Sequence, residues 1–126
     1  MTVIWLWVAT MAAGGVGAAL RFVVDGAVKA RWRHPYPLGT SVINVTGSFV
    51  LGFVVAAAAG RVLPVEVSMI GGTGLLGGYT TFSTASFETV RLAQQRRWGW
   101  SLAAAFGQLV ACVAGAALGA VLGALV

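Results

Sequence analysis

The sequence predicts an all-α membrane protein with four transmembrane helices, the third of them broken near mid-membrane. Of the 126 residues, 59% are hydrophobic and only 9% are charged, whereas soluble domains carry roughly a quarter of their residues as charges. The apolar residues form long segments that are separated by short basic or proline-containing turns. One of these segments is rich in glycine and then in hydroxyl side chains, which an ordinary spanning helix does not need.

The spans are predicted to form a single four-helix domain over residues 1–126, with approximate bounds 3–24, 38–60, 67–87 and 101–125. No Lys or Arg precedes the first span, so we expect a permanent helix rather than a cleaved signal peptide. The formal charge is +5, but the basic residues flank the spans as membrane anchors do. We therefore expect the lipid bilayer, and no nucleic acid, as the partner of this charge.

The first span carries small residues over 14–19, which allow another helix to approach closely. Arg21 follows them near the end of the span. Two interpretations stay open for Arg21. It is either an interfacial anchor whose stem snorkels to the membrane surface or a structural partner of a carbonyl or helix end.

The second span contains Ser41, Asn44 and Ser48 at helical spacing, so they share one face. Hydrogen bonds between helices are a sufficient explanation for the hydroxyls. The amide of Asn44 is harder to satisfy at membrane depth because it has several donor and acceptor groups. We therefore predict that Asn44 lines a polar path.

The third span holds the glycine-rich and hydroxyl-rich stretch, Gly71 to Thr84. Residues 72–77 match the dinucleotide fingerprint G-x-G-x-x-G, but that fingerprint requires a preceding strand and a soluble βαβ unit. We reject a nucleotide site because the flanks are apolar spans. Each glycine weakens a helix by about 1 kcal/mol relative to alanine. A break there frees carbonyls that can bind a cation in the membrane.

The fourth span repeats a small residue every four positions, which predicts a stripe for close helix packing. The stripe consists of Gly107, Ala111, Gly115, Gly119 and Gly123. Gln108 lies at depth in the same span, and either a polar path or helix packing can explain it. Ser41, Ser48 and Gln108 are kept as candidate pore-facing residues.

The chain has little chemistry for catalysis. Its only acids are Asp25, Glu66 and Glu88, all near span ends, so we predict no enzyme and no proton-coupled exporter. What remains at depth is neutral donors, which suit an anion better than a cation. These donors are Asn44, Thr80, Thr81, Ser83, Thr84 and Gln108. Phe82 fits an anion path as well because the edge of an aromatic ring is positive.

Three motifs together resemble the bacterial fluoride channels of the Fluc (CrcB) family. They are GGVGAALRF at 14–22, PLGTSVINVTGSF at 37–49 and GGYTTFST at 77–84, and their order and spacing match over nearly the whole chain. The resemblance implies a fluoride-specific ion channel in the bacterial inner (plasma) membrane. Its function would be passive fluoride efflux, which relieves fluoride toxicity.

The resemblance also implies an assembly and its sites. Such channels are dual-topology, antiparallel dimers with two fluoride pathways and a central structural sodium ion. The main-chain carbonyls of Gly77 and Thr80 match the sodium ligands. The fluoride path falls on Asn44, Phe82, Ser83 and Thr84, and Thr81 lies among them.

One position departs from the family pattern. The family run continues T-T-F-S-T-F, but Ala85 stands at its last position. Phe87 cannot substitute because two residues along a helix rotate the side chain by about 200°. One aromatic edge is therefore missing from this subunit, which favours an alternative: a non-conducting or half-functional subunit that needs a paralogous partner.

The charges support the same alternative. The first and third connections lie on one side of a four-span protein, and they hold Lys29, Arg31, Arg33, Arg91, Arg96 and Arg97. The other side holds only Arg61 and the N-terminal amine. This bias predicts one fixed orientation with both termini outside. A dual-topology homodimer needs almost no bias, so a heterodimer with an oppositely oriented paralogue stands beside the antiparallel homodimer.

Overall fold

The computed structural model describes residues 2–126, and all of the regular structure in this part of the chain is helical. The first two helices are α1, Val3–Arg31, and α2, Leu38–Ala59. Helix α3 is built from the contiguous segments Val65–Val67, Ser68–Leu76 and Gly77–Tyr79, and α4 is Ser83–Gln94. Helix α5 is built from the contiguous segments Trp98–Leu102, Ala103–Gly107 and Gln108–Ala124. The prediction of an all-α protein is confirmed.

Three helices are long and apolar enough to cross a membrane, namely α1, α2 and α5. The third predicted span instead falls on α3 and α4, which are two shorter helices. Between them Thr80 is extended, with φ −74° and ψ 159°. Each of the four predicted spans is therefore helical, and the third is interrupted at Thr80.

The interruption does not fall where the glycines alone would put it. The segment Ser68–Leu76 stays helical, although its turns widen to the i→i+5 bonding of a π-helix. Two glycines of the run, Gly74 and Gly78, pack closely on α1, because an added Cβ would collide with the main-chain carbonyls of Thr10 and Gly14. Contact with α1 thus offsets the low helix propensity of the run, and the break comes only after Tyr79.

The small-residue stripe of the fourth span packs against α2. A Cβ at Gly119 or Gly123 would collide with a main-chain carbonyl of α2, and a Cβ at Gly115 would lie 3.3 Å from the Val45 oxygen. Gly107 begins the stripe, and apart from the adjoining residues of its own helix no atom of residues 2–126 lies within 4 Å of a Cβ added there. Among the glycines of the stripe, Gly115, Gly119 and Gly123 are therefore the ones that bring α2 and α5 together.

Helix α1 continues well beyond the predicted end of the first span near residue 24. Its extension is stabilised by an i,i+4 ion pair, in which Lys29 Nζ lies 2.6 Å from Asp25 Oδ2. Lys29 and Arg31 in the last turn also interact favourably with the negative end of the helix dipole. The chain therefore stays helical up to Arg31, and the connection to α2 is residues 32–37.

The outer surface of the single chain is largely apolar. Large side chains on three helices are mostly exposed, including Trp5 at 65%, Phe106 at 64% and Val110 at 67%. Soluble proteins rarely expose such continuous apolar area. The exposed faces belong to helices that are long and apolar enough to cross a membrane. Lipid is therefore their solvent, and the chain is a multi-pass membrane protein.

Candidate functional site

The break between α3 and α4 is held by one side chain from α2. Asn44 Nδ2 donates to the Thr81 carbonyl at 2.8 Å, and Asn44 Oδ1 accepts from the Thr81 N–H at 2.8 Å. The side-chain amide of Asn44 thus satisfies both main-chain hydrogen-bonding groups of Thr81. An unpaired main-chain group in a membrane costs several kcal/mol, so this pairing makes the break tolerable.

Hydroxyl groups close the two helix ends on either side. Thr80 Oγ1 donates to the Leu76 carbonyl at 2.9 Å, in the last turn of α3. Thr81 Oγ1 accepts from the Thr84 N–H at 3.2 Å, so it caps the start of α4. The Thr81 hydroxyl also lies 3.4 Å from Ser83 Oγ. The run of hydroxyl residues after the glycines therefore terminates one helix and starts the next.

Arg21 reaches the same break from α1. Its Nη1 donates to the Thr80 carbonyl at 3.3 Å. Of the two interpretations left open by the sequence, this contact is the structural one, in which Arg21 binds a carbonyl at a helix end. The end of α3 is further tied to α2, where Thr46 Oγ1 and Tyr79 Oη lie 3.1 Å apart.

The start of α4 lies on an open face of the subunit. The Phe82 ring is 88% exposed, Ser83 and Gly77 are also exposed, and Thr84 is half-buried. Ala85, at the departure from the family pattern, is half-buried too. The predicted fluoride-path residues are therefore brought together at one end of α4, but a single subunit does not enclose them.

A second polar cluster joins α2, α5 and the connection before α2. Tyr36 Oη and Ser41 Oγ lie 2.7 Å apart, and Gln108 Nε2 donates to Ser41 Oγ at 3.4 Å. Ser41 and Gln108 are both buried. Within the described residues Ser48 makes no side-chain hydrogen bond, so the predicted serine–asparagine face divides. Ser41 joins Gln108, and Asn44 joins the break.

A cavity of about 260 Å³ opens beside this cluster. It lies between the end of α1, the 32–37 connection, the start of α2 and the middle of α4, and Tyr36 lines it. Its charged lining residues are Asp25, Lys29, Glu88 and Arg91. Asp25 Oδ1 and Glu88 Oε2 are buried there without a partner among the described residues. A polar cavity of this size can hold water.

Sequence reasoning missed this cavity because it treated its charges only as membrane flanks. The Tyr36 hydroxyl links the cavity to Ser41. The available signal was helical spacing, since Asp25 and Lys29 stand at i,i+4 and Glu88 and Arg91 at i,i+3. Such spacing places Asp25 and Lys29 on one face of α1, and Glu88 and Arg91 on one face of α4. Spacing alone does not show that these two faces line the same cavity.

Over residues 2–126, no three His, Cys, Asp or Glu side chains come together in a group that could hold a metal ion. The polar groups at the break are instead the Asn44 amide, hydroxyls, main-chain groups and the Arg21 guanidinium. The fold and site thus define a small multi-pass membrane protein that is built around an interrupted helix.

The model of the family described as CrcB-like protein, Camphor Resistance (CrcB), matches residues 8–120. The chain belongs to this family, and the resemblance inferred from the three motifs is confirmed. It is 54% identical over 113 residues to fluoride-specific ion channel FluC 1 of Leifsonia xyli subsp. xyli, covering 90% of this chain and 82% of that protein. It is 47% identical over 103 residues to fluoride-specific ion channel FluC 2 of Mycolicibacterium paratuberculosis, covering 82% and 81%. It is 43% identical over 124 residues to FluC 2 of Cutibacterium acnes, covering 94% and 98%.

Proposed function

We propose that this chain is a subunit of a fluoride-specific ion channel, not an enzyme, and that it mediates passive fluoride efflux across the bacterial plasma membrane. The observation that carries the proposal is the helix break held by Asn44, in a chain whose relatives are named fluoride-specific ion channels. The Asn44 amide bonds Thr81, which immediately precedes Phe82, Ser83 and Thr84 in the chain. These are the residues to which the family resemblance assigns the ion path.

The charge distribution at the break supports an anion as the permeating species. The first N–H groups of a helix lack helical acceptors and form the positive end of the helix dipole. Helix α4 presents this end at Ser83, next to the exposed ring of Phe82. Neutral donors and a ring edge stabilise a small anion without trapping it by full ion pairing.

A structural sodium ion belongs to the same proposal. The ligands would be the main-chain carbonyls of Gly77 and Thr80, from each of two subunits. Oxygen donors suit a hard cation, and unwound carbonyls coordinate sodium in transporters with discontinuous helices. Thr80 fits this role because its extended backbone ends the helical bonding of α3. When bound, the ion would supply positive charge that holds two breaks together.

The assembly is an antiparallel dimer in this proposal. The exposed Phe82, Ser83 and Gly77 form an incomplete site on one subunit, and a second subunit related by a two-fold axis in the membrane plane would complete it. Ala85 and the biased basic loops favour the alternative that the second subunit is a paralogue. The numbers 1 and 2 in the names of the relatives are consistent with paired genes.

The test is an efflux assay on the purified protein in liposomes loaded with fluoride, read with a fluoride-selective electrode. Chloride-loaded liposomes are the control. We expect fluoride release without chloride release, and loss of release in Asn44→Ala. Release only after co-reconstitution with a paralogue supports the half-functional alternative. If a folded dimer releases no fluoride, either alone or with a paralogue, the proposal that the chain forms a channel is rejected.

A further inference from the structure

Several helical hydrogen bonds are missing at the break, and two of the N–H groups that lose a carbonyl acceptor have a side-chain acceptor instead. In an unbroken α-helix, the Thr81 N–H would donate to the Gly77 carbonyl and the Thr84 N–H to the Thr80 carbonyl. Here the Thr81 N–H donates to Asn44 Oδ1 at 2.8 Å. The Thr84 N–H donates to Thr81 Oγ1 at 3.2 Å. The carbonyls to which these two N–H groups would have donated are those of Gly77 and Thr80.

The replacement is specific to these side chains. Asn44 also donates from Nδ2 to the Thr81 carbonyl at 2.8 Å, so its amide substitutes for both helical partners of Thr81. Leucine at position 44 would offer neither group, and aspartate would offer only the acceptor. In the leucine variant the cheapest way to satisfy the Thr81 N–H in a membrane is to return it to the Gly77 carbonyl.

A third contact indicates that a released carbonyl attracts positive charge. Arg21 Nη1 donates to the Thr80 oxygen at 3.3 Å. A carbonyl oxygen has two lone pairs, so this contact leaves room for a second cationic partner on the same atom. Arg21 comes from α1 and Asn44 comes from α2. Side chains from two other helices therefore bind the main chain of the break.

We infer that Asn44 and Thr81 are positioning residues of the cation site, each of which releases one of its carbonyl ligands. This inference rests on the sodium site proposed above. It gives Asn44 a task distinct from lining the fluoride path, since the amide acts on sodium through the Gly77 carbonyl. Asn44 thereby couples assembly to permeation.

The experiment measures the sodium dependence of dimer stability rather than flux. Purified protein is unfolded by heat, and its dimer fraction is followed by size exclusion, in NaCl and in N-methyl-D-glucamine chloride of equal chloride concentration. Sodium is titrated for wild type, Asn44→Leu, Thr81→Val and Thr81→Ser. Thr89→Val is the matched control, because among the described residues the Thr89 hydroxyl bonds only the Ala85 carbonyl of its own helix.

We expect Asn44→Leu and Thr81→Val to weaken sodium affinity about tenfold or more, the usual effect of removing a group that orients metal ligands. Thr81→Ser keeps the capping hydroxyl, so it and Thr89→Val are expected to titrate as wild type does. If Asn44→Leu does not fold, the Thr81 pair carries the test alone. Wild-type sodium affinity in Asn44→Leu or Thr81→Val overturns the inference. A wild-type dimer indifferent to sodium instead refutes the proposed cation site.

Discussion

Gly17 packs so closely on Leu75 that a Cβ at Gly17 would collide with the Leu75 main-chain carbonyl. The contact joins α1 to α3 just before the break, and main-chain atoms cannot give way as a flexible side chain can. The position of the break relative to Arg21 on α1 therefore depends on this glycine.

We predict that Gly17→Ala destabilises the fold by roughly 1–3 kcal/mol, the usual cost of overpacking. Gly15→Ala is the matched control on the same helix, because a Cβ at Gly15 meets nothing within 4 Å. That control should be neutral or gain up to about 1 kcal/mol in helix propensity. Thermal unfolding of the purified variants measures both. Equal midpoints for the two variants would contradict the packing described here.

Phe82 is expected to matter for flux and not for the stability of the subunit, since its ring is 88% exposed. Phe82→Leu should lower fluoride efflux about tenfold, which corresponds to roughly 1.4 kcal/mol, within the range of aromatic interactions. Its thermal midpoint should stay close to that of wild type. Phe87→Leu, at a ring that is 67% exposed on another face of α4, serves as the control. A fall in flux of the same size in both variants would remove the special role of Phe82.

Ala85 provides a gain-of-function test. If the missing ring limits a homodimer, Ala85→Phe should raise fluoride efflux from liposomes that contain this chain alone. Ser86→Phe adds the same ring to the neighbouring, half-buried position and should not raise it. An Ala85→Phe variant that folds but conducts no better than the parent would show that the ring is not what the homodimer lacks.

A substitution at Gln108, which is buried beside Ser41, tests whether its amide lines a polar path or serves helix packing. Gln108→Met keeps the length of the side chain but removes its amide. If the amide contacts the ion, flux should fall about 10- to 100-fold, because a hydrogen bond to a charged group contributes roughly 1.5–3 kcal/mol. Val113→Ala, at a lipid-facing position that is 61% exposed, is the control. Unchanged flux in Gln108→Met would leave only the packing role.

The spans were predictable because apolar composition and length are properties of each segment by itself. The broken third span was predictable for the same reason, from its glycine and hydroxyl content. The place of the break was not, because it depends on a bond between Asn44 and Thr81, which are 37 residues apart. Gly74 and Gly78 pack on α1, and spacing within one helix cannot reveal such a pairing. The cluster of Tyr36, Ser41 and Gln108 was not predictable for the same reason, because its residues come from separate segments of the chain.

The orientation of the chain gives the last prediction. The basic residues gather at the end of the molecule that holds the 32–37 connection, so we expect that end to face the cytoplasm. In a Cys112→Ser background, Val62→Cys should react with a membrane-impermeant maleimide on intact cells. Gln95→Cys, in the basic connection after α4, should react only after permeabilisation. Both positions are exposed in the subunit, so accessibility depends on sidedness. Equal labelling of the two on intact cells would indicate dual topology and favour a homodimer, whereas one-sided labelling favours a paralogous partner of opposite orientation.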